Sequence, residues 1–314
     1  MHSDPRQWQL GLVGYGEVGR ILAEDLRNLG LAVAAFDLKL LPDLSEASAT
    51  PLRQHAAHHG VELLASHAAL TARSYLVISA VTASQTLAVA QACAPALHQG
   101  AYFLDFNSAS PAAKQQAGKR IDASGGRYVE GAVMTSIPPY RIKVPLLLGG
   151  PWAAELSPLI NALGFASQVV SADLGVASAT KMCRSVMIKG LEAMVIESLT
   201  AARHYGVEDA VVASLYETFP GIDWEKQAAY FFQRVIEHGR RRSEEVREVA
   251  VTVLDAGLTP WSAQGTADRQ AWVADLADAG LFGPKGSPTF ARSPDWRTEA
   301  DRMLAHLQLK DASP

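Results

Sequence analysis

Residues 10–37, LGLVGYGEVGRILAEDLRNLGLAVAAFD, decide the fold. Leu10, Leu12 and Val13 read as a short buried strand. Gly14, Gly16 and Gly19 follow as G-x-G-x-x-G, and Ile21, Leu22, Leu26 and Leu29 then share one face of a helix. A second apolar run, Leu31 to Phe36, ends on Asp37. The glycines differ in what they permit. Gly14 allows a tight turn, Gly16 lets backbone approach a pyrophosphate, and Gly19 lets the helix pack close to the strand. Phosphates resting on the helix N-terminus meet free N–H groups and the positive end of the dipole. The cofactor-binding set in this turn is therefore Gly14, Tyr15, Gly16, Glu17, Val18 and Gly19. Asp37, about 20 residues on, suits a ribose 2′-hydroxyl and repels a 2′-phosphate. That favours NAD, while Lys39 leaves NADP possible.

The rest of the chain extends this opening. Residues 38–51 read as a loop, 52–59 as a short helix and 61–65 as a strand. His55, His58, His59 and His67 lie close in sequence, but no acid or cysteine joins them in a ligand pattern. A solvated helix and no metal site are expected. Tyr75 to Val81 is a continuous apolar run, as in a parallel strand buried on both faces. A helix over 85–97 and the strand with its turn, AYFLDFNSASP, follow. Ligands of open α/β sheets sit outside the carboxyl ends of strands, which brings Val81, Thr82 and Asn107 to the cofactor. Ser84 and Ser110 fit helix N-caps equally well. A helix near 111–123, the strands RYVEGAV and VPLLLGG, a helix from Trp152 and the strand FASQVV complete the unit. From Asp173 the pattern turns helical: 174–205, 208–219, 223–238, 241–256, 264–279 and 295–309. The fold class is α/β, a Rossmann-type doubly wound sheet over 1–172 followed by an all-helical domain over 173–314.

Composition narrows the setting. With 314 residues, 48% hydrophobic and 19% charged, the chain can bury two cores. Its net charge of −4 points away from nucleic acid. Two cysteines make no disulfide framework, Cys183 reads as a packing residue, and the N-terminus lacks the build of a signal peptide. No apolar run reaches the length of a membrane span. A cytoplasmic protein, not attached to a membrane, is expected.

Four stretches carry a family resemblance. GLVGYGEVGR is similar to G-x-G-x-M-G, and Asp105 to Pro111, DFNSASP, to D-x-S-T-x-x-P. VEGAVMTS, Val129 to Ser136, stands at the place of D-x-P-V-S-G-G. Gly175-x-Ala177-x-x-x-Lys181-x-x-Arg184 stands at the place of G-x-G-x-x-x-K-x-x-N. The chain thus resembles the β-hydroxyacid dehydrogenases, which include 3-hydroxyisobutyrate and 6-phosphogluconate dehydrogenases. Its tail resembles a less-characterised branch with a phosphogluconate dehydrogenase-like C-terminal domain. The resemblance implies Lys181 as general acid/base, substrate contacts from Met134, Thr135, Ser136 and Arg184, and at least a homodimer.

An alcohol oxidised by hydride transfer must also lose its hydroxyl proton. A lysine accepts that proton at neutral pH only when burial or a nearby cation weakens its hold on its own. Arg184, one helical turn from Lys181, can serve as that cation and also grip a substrate carboxylate. Met134-Thr135-Ser136 in place of S-G-G suggests a larger or more apolar substrate than the small family members take. In the run HGRRRSEE from His238 to Glu245, His238 and Arg241 either enter the cleft against an acidic substrate or form a solvated basic turn paired with the glutamates. The expected function is hydride transfer between a nicotinamide cofactor and a 3-hydroxy acid or similar carboxylate-bearing alcohol. An NADPH-dependent imine or keto-acid reductase and a non-catalytic nicotinamide-binding regulator are the alternatives.

Overall fold

A computed structural model describes residues 4–41, 45–287, 290–291 and 293–311. The chain divides into two compact units, Met1–Met182 and Cys183–Pro314. The first begins with β1 (Gln9–Val13), α1 (Glu17–Asn28), β2 (Ala32–Phe36), α2 (Glu46–His59), β3 (Glu62–Leu63) and α3 (His67–Thr71). It continues through β4 (Leu76–Ser79), α4 (Thr86–Cys93), β5 (Tyr102–Asp105), α5 (Pro111–Ala123) and β6 (Arg127–Val133). It closes with β7 (Pro145–Gly149), α6 (Ala153–Ala162) and β8 (Ala166–Ser171).

The eight strands lie in the order β3-β2-β1-β4-β5-β6-β7-β8. Every neighbouring pair is parallel except β6 with β7. Leu12 of β1 stands opposite Ala35 on one side and Ile78 on the other. The strand order reverses between β1 and β4, and a crevice opens outside the carboxyl ends of strands at such a point.

Side chains that alternate along each strand serve two cores. Leu10, Leu12, Leu76, Ile78, Tyr102 and Leu104 pack with α1, α2 and α6 residues such as Leu22, Leu52 and Leu156. Val13, Val77, Phe103 and Tyr128 pack with Leu70, Val89 and Ile121 from α3, α4 and α5. A sheet covered on both faces explains why YLVISAV lacks polar alternation.

Several boundaries differ from the sequence reading. The helix expected over 52–59 begins at Glu46 and includes Pro51. The Ser48 and Thr50 hydroxyls donate to the Ser45 and Glu46 carbonyls, and the alanine-rich segment sustains the turn. The strand expected over 61–65 shrinks to Glu62–Leu63 at the sheet edge. The helix expected over 85–97 ends at Cys93, and Pro95 sits in a following 3-10 turn. Leu29 points outward, because α1 stops at Asn28.

Helix α7 (Val176–Tyr205) runs across the division between the units. The second unit adds α8 (Glu208–Thr218), α9 (Trp224–Asp255), α10 (Trp261–Asp278) and α11 (Trp296–Asp311). Its core gathers Trp224, Phe232, Val235, Val273, Trp296 and Met303. Cys183 is exposed rather than packed. Among the described residues, no helix is long and apolar enough to cross a membrane.

The helices expected over 223–238 and 241–256 are one helix, α9. Gly239 does not break it. A Cβ at this position would lie 2.8 Å from the Gln270 carbonyl oxygen and 3.3 Å from Ala274 Cβ, so the glycine lets α10 lie close. Gly239→Val should therefore push α10 away and cost about 1–3 kcal/mol. A lowered urea midpoint reported by the tryptophans of this unit checks it, whereas an unchanged midpoint contradicts the close approach.

Candidate active site

The three glycines of the first turn behave differently from one another. Gly14 has φ +90°, and a Cβ there would lie 2.4 Å from the Ala80 carbonyl oxygen. At Gly19 it would lie 2.0 Å from the Gly14 carbonyl oxygen. At Gly16 it would meet nothing within 4 Å. The first and third glycines thus close the turn on itself, and the middle one keeps an open cradle at the start of α1. That helix has no side-chain cap. Open backbone at an uncapped helix N-terminus fits the pyrophosphate of a dinucleotide. Glu17 and Val18 belong to the first turn of this helix.

Tyr15 turns its ring into the core and is fully buried. Its hydroxyl hydrogen-bonds His55 Nδ1 at 2.9 Å, and its N–H donates to Asp37 Oδ2 at 2.7 Å. Burial pushes the phenol up to about 12. Asp37 Oδ1 accepts from the Lys39 N–H at 2.9 Å, which caps the short turn after β2. The carboxylate is thereby fixed at the carboxyl end of β2, level with the glycine turn.

Two further loops end on the same edge. The Val81 N–H donates to Asn107 Oδ1 at 2.7 Å, and Asn107 Nδ2 donates to Ser79 Oγ at 3.0 Å. Asn107 is buried and braces the turn after β4 against the turn after β5; Thr82 beside it is exposed. Asp105 anchors this arrangement from below. It forms a buried ion pair with Lys114 at 2.9 Å and accepts from the Tyr128 hydroxyl at 2.7 Å and the Asn107 N–H at 2.8 Å. Burial, and then the Asp105 charge, hold Tyr128 well above the ordinary phenol range. Ser110 caps α5, the plainer of its two expected uses.

Glu130 of β6 is fully buried beneath the start of α7. Its Oε1 accepts from the N–H groups of Gly175 and Ala177 at 3.0 and 2.9 Å, and its Oε2 accepts from the Ser178 hydroxyl at 2.9 Å. An anion placed on uncapped helix N–H groups is stabilised by both hydrogen bonding and the dipole. Less than two turns on, half-buried Lys181 donates from Nζ to Ser108 Oγ at 2.6 Å. Glu130 and Ser108 both lie in stretches that carry the family resemblance, but neither was given a role of its own from the sequence. Ser108 was signalled by its place in DFNSASP, and Glu130 by its place in VEGAVMTS as an acid inside an apolar strand.

The remaining expected substrate residues are spread out. Met134 and Ser136 are partly buried and Thr135 is exposed, in the loop after β6. Arg184 is exposed on α7 in the second unit. His238 lies 3.8 Å from Glu237, and burial holds its imidazole below the ordinary range. Exposed Arg241 pairs with Glu245 one turn along α9. Arg242, not singled out from the sequence, is the buried arginine of that run and pairs with Glu192. Lys189 pairs with Glu245 at 2.6 Å. One further group contradicts the reading of the histidines as joined by no acid: Glu24 of α1 meets His55 and His59 of α2.

Comparison with known proteins matches residues 9–136 to the NAD binding domain of 6-phosphogluconate dehydrogenase. Residues 202–273 match a domain of unknown function, DUF1932. A conserved hypothetical protein from Sinorhizobium meliloti is 38% identical, with 94% of this chain and 96% of that one covered and a TM-score of 0.71. An uncharacterized 28.5 kDa protein from Methanothermus fervidus is 28% identical over 255 residues, covering 80% of this chain and 93% of its own length. The fold is also that of Mycobacterium tuberculosis 3-hydroxyisobutyrate dehydrogenase, with 15% identity, 95% of this chain and 99% of that one covered and a TM-score of 0.70.

Glu130→Gln should leave a buried amide facing backbone donors and lower stability by about 1–3 kcal/mol. Urea denaturation of the full chain measures this. Equal midpoints for the two proteins would mean that the carboxylate is not the cap it is taken to be.

Proposed function

From the premise that this chain belongs to the β-hydroxyacid dehydrogenase family, we propose that it oxidises a 3-hydroxy acid or similar carboxylate-bearing alcohol, with Lys181 as general acid/base. The single observation that carries the reading is the Lys181 amine seated on Ser108 Oγ at 2.6 Å, just past the carboxyl end of β5. An amine needs a fixed position within hydrogen-bond reach of the proton it removes. Ser108 supplies that position, and Glu130 sets the start of the helix that carries it.

The nicotinamide, when bound, supplies the acceptor for the hydride. Gly14, Gly16 and Gly19 with the first turn of α1 hold the pyrophosphate, and Asp37 holds the ribose 2′-hydroxyl. Val81, Thr82 and Asn107 line the next loops. As the C–H bond of the carbinol breaks, Lys181 Nζ takes the hydroxyl proton and the C=O bond forms. In the reverse direction the same amine returns the proton to the carbonyl oxygen. Arg184 holds the substrate carboxylate, and Met134, Thr135 and Ser136 receive the rest of the molecule. In this reading the helical second unit, Cys183–Pro314, supplies the subunit interface.

A homodimer is part of this reading. In the second unit Met187, Met194, Leu254, Leu258 and Trp261 are each 60% exposed or more. These exposed apolar groups support the reading that a second copy of the chain covers part of this unit.

Lys181→Ala should lower kcat by about a thousandfold while nicotinamide affinity stays within a few-fold. Nicotinamide absorbance over a panel of 3-hydroxy acids, with the cofactor titrated separately, tests this. Unaltered turnover in the variant would remove Lys181 from the reaction. Sedimentation at micromolar concentration should report a dimer, and a monomer there overturns the assigned interface.

A further inference from the structure

We propose that Glu24, His55 and His59 form a site for one divalent transition-metal ion of the zinc type, joining α1 to α2. The three side chains each offer a ligand atom, and these atoms lie within 4.8 Å of one another. Among the described residues this is the one group of three or more such donors that converges. The two histidines are four residues apart, which puts both on one face of α2, and the carboxylate arrives from the facing helix. Two imidazoles, one carboxylate and a water make up a four-coordinate zinc set. Bonds of about 2.0–2.2 Å draw the donors somewhat closer than they stand now. All three side chains are only partly buried, so small side-chain rotations suffice.

The surroundings are built as a second layer around such an ion. The Tyr15 hydroxyl lies 2.9 Å from His55 Nδ1, and with Nδ1–H donating to that oxygen Nε2 is the nitrogen left to ligate. A hydrogen bond on the other ring nitrogen is the usual means of fixing a metal-binding histidine. Arg27 donates to the His59 carbonyl at 3.1 Å and the Leu31 carbonyl at 2.6 Å, so the end of α2 is already tied to the end of α1. The two helices therefore need no rearrangement to share an ion.

Arg141 is the competitor. It pairs with Glu24 at 2.9 Å and with Asp25 at 2.7 Å. Asp25 also accepts the Ile142 N–H at 3.0 Å, so it retains the Arg141 loop when Glu24 turns to the ion. Arg20 lies near His55 and adds a second repulsive charge. These cations set an affinity below that of a buried structural zinc site but leave the donor set whole.

The test is titration of the chelator-treated full-length chain with Zn²⁺ alone, by calorimetry and by thermal shift, with neither nicotinamide nor substrate present. One ion per chain and a rise in Tm are expected. Glu24→Gln and His59→Ala should each weaken binding about tenfold or more, which is roughly 1.4 kcal/mol. His58→Ala, at the exposed histidine beside His59, should leave it unchanged. Equal affinity in the wild type, Glu24→Gln and His59→Ala, or no saturable binding up to millimolar Zn²⁺, would overturn the site. Circular dichroism of each variant separates lost binding from lost folding.

Discussion

The Glu130 carboxylate, buried under the first turn of α7, is the contact on which the geometry of the first unit depends. It joins a strand in the middle of the sheet to the helix that carries Lys181. A buried carboxylate is costly unless its lone pairs are matched, and here two amides and a hydroxyl match them. Gly149 on the neighbouring strand makes room: a Cβ there would lie 2.4 Å from Glu130 Oε1. Gly175, with φ +104°, turns the chain so that its own amide reaches the same oxygen. Two glycines and one acid thus fix where α7 begins, and the position of its amine follows from the helical rise.

What was legible in the sequence is what depends on near neighbours. The roles of Gly14, Gly16 and Gly19 follow from spacing alone, because turn, cradle and helix packing are all settled within ten residues. The buried parallel strands were legible because a sheet covered on both faces leaves runs such as YLVISAV without polar interruption. Asp37 at the end of β2 was legible for the same local reason. Asn107 was placed beside the cofactor turn by strand topology, and its amide does bind the Val81 N–H there.

The parts that escaped are those decided by a distant partner. Gly239 looked like a helix break until α10 lay against it. Glu24 is one of several acids on α1, and only the packing of α1 beside α2 brings it to His55 and His59. The basic run on α9 divides by burial in a way that its composition does not announce. Arg241 stays at the surface with Glu245, whereas Arg242 turns inward to Glu192, with Gln270 also against that glutamate at 3.3 Å. Charges buried in this fashion contribute little net stability, but removing one partner leaves the other stranded. The second unit is therefore more sensitive to single polar changes than its apolar core suggests.

The open space at Gly16 separates two kinds of defect that mutation can cause. A methyl group at Gly14 or Gly19 collides with main-chain oxygen, which no rotamer change relieves, so damage there is damage to the architecture. A methyl group at Gly16 meets no atom within 4 Å, so the chain can fold intact while the open space at the start of α1 is narrowed. Three identical residues, five positions apart from first to last, thus carry unequal burdens: two are guardians of shape, and the one between them is a doorway.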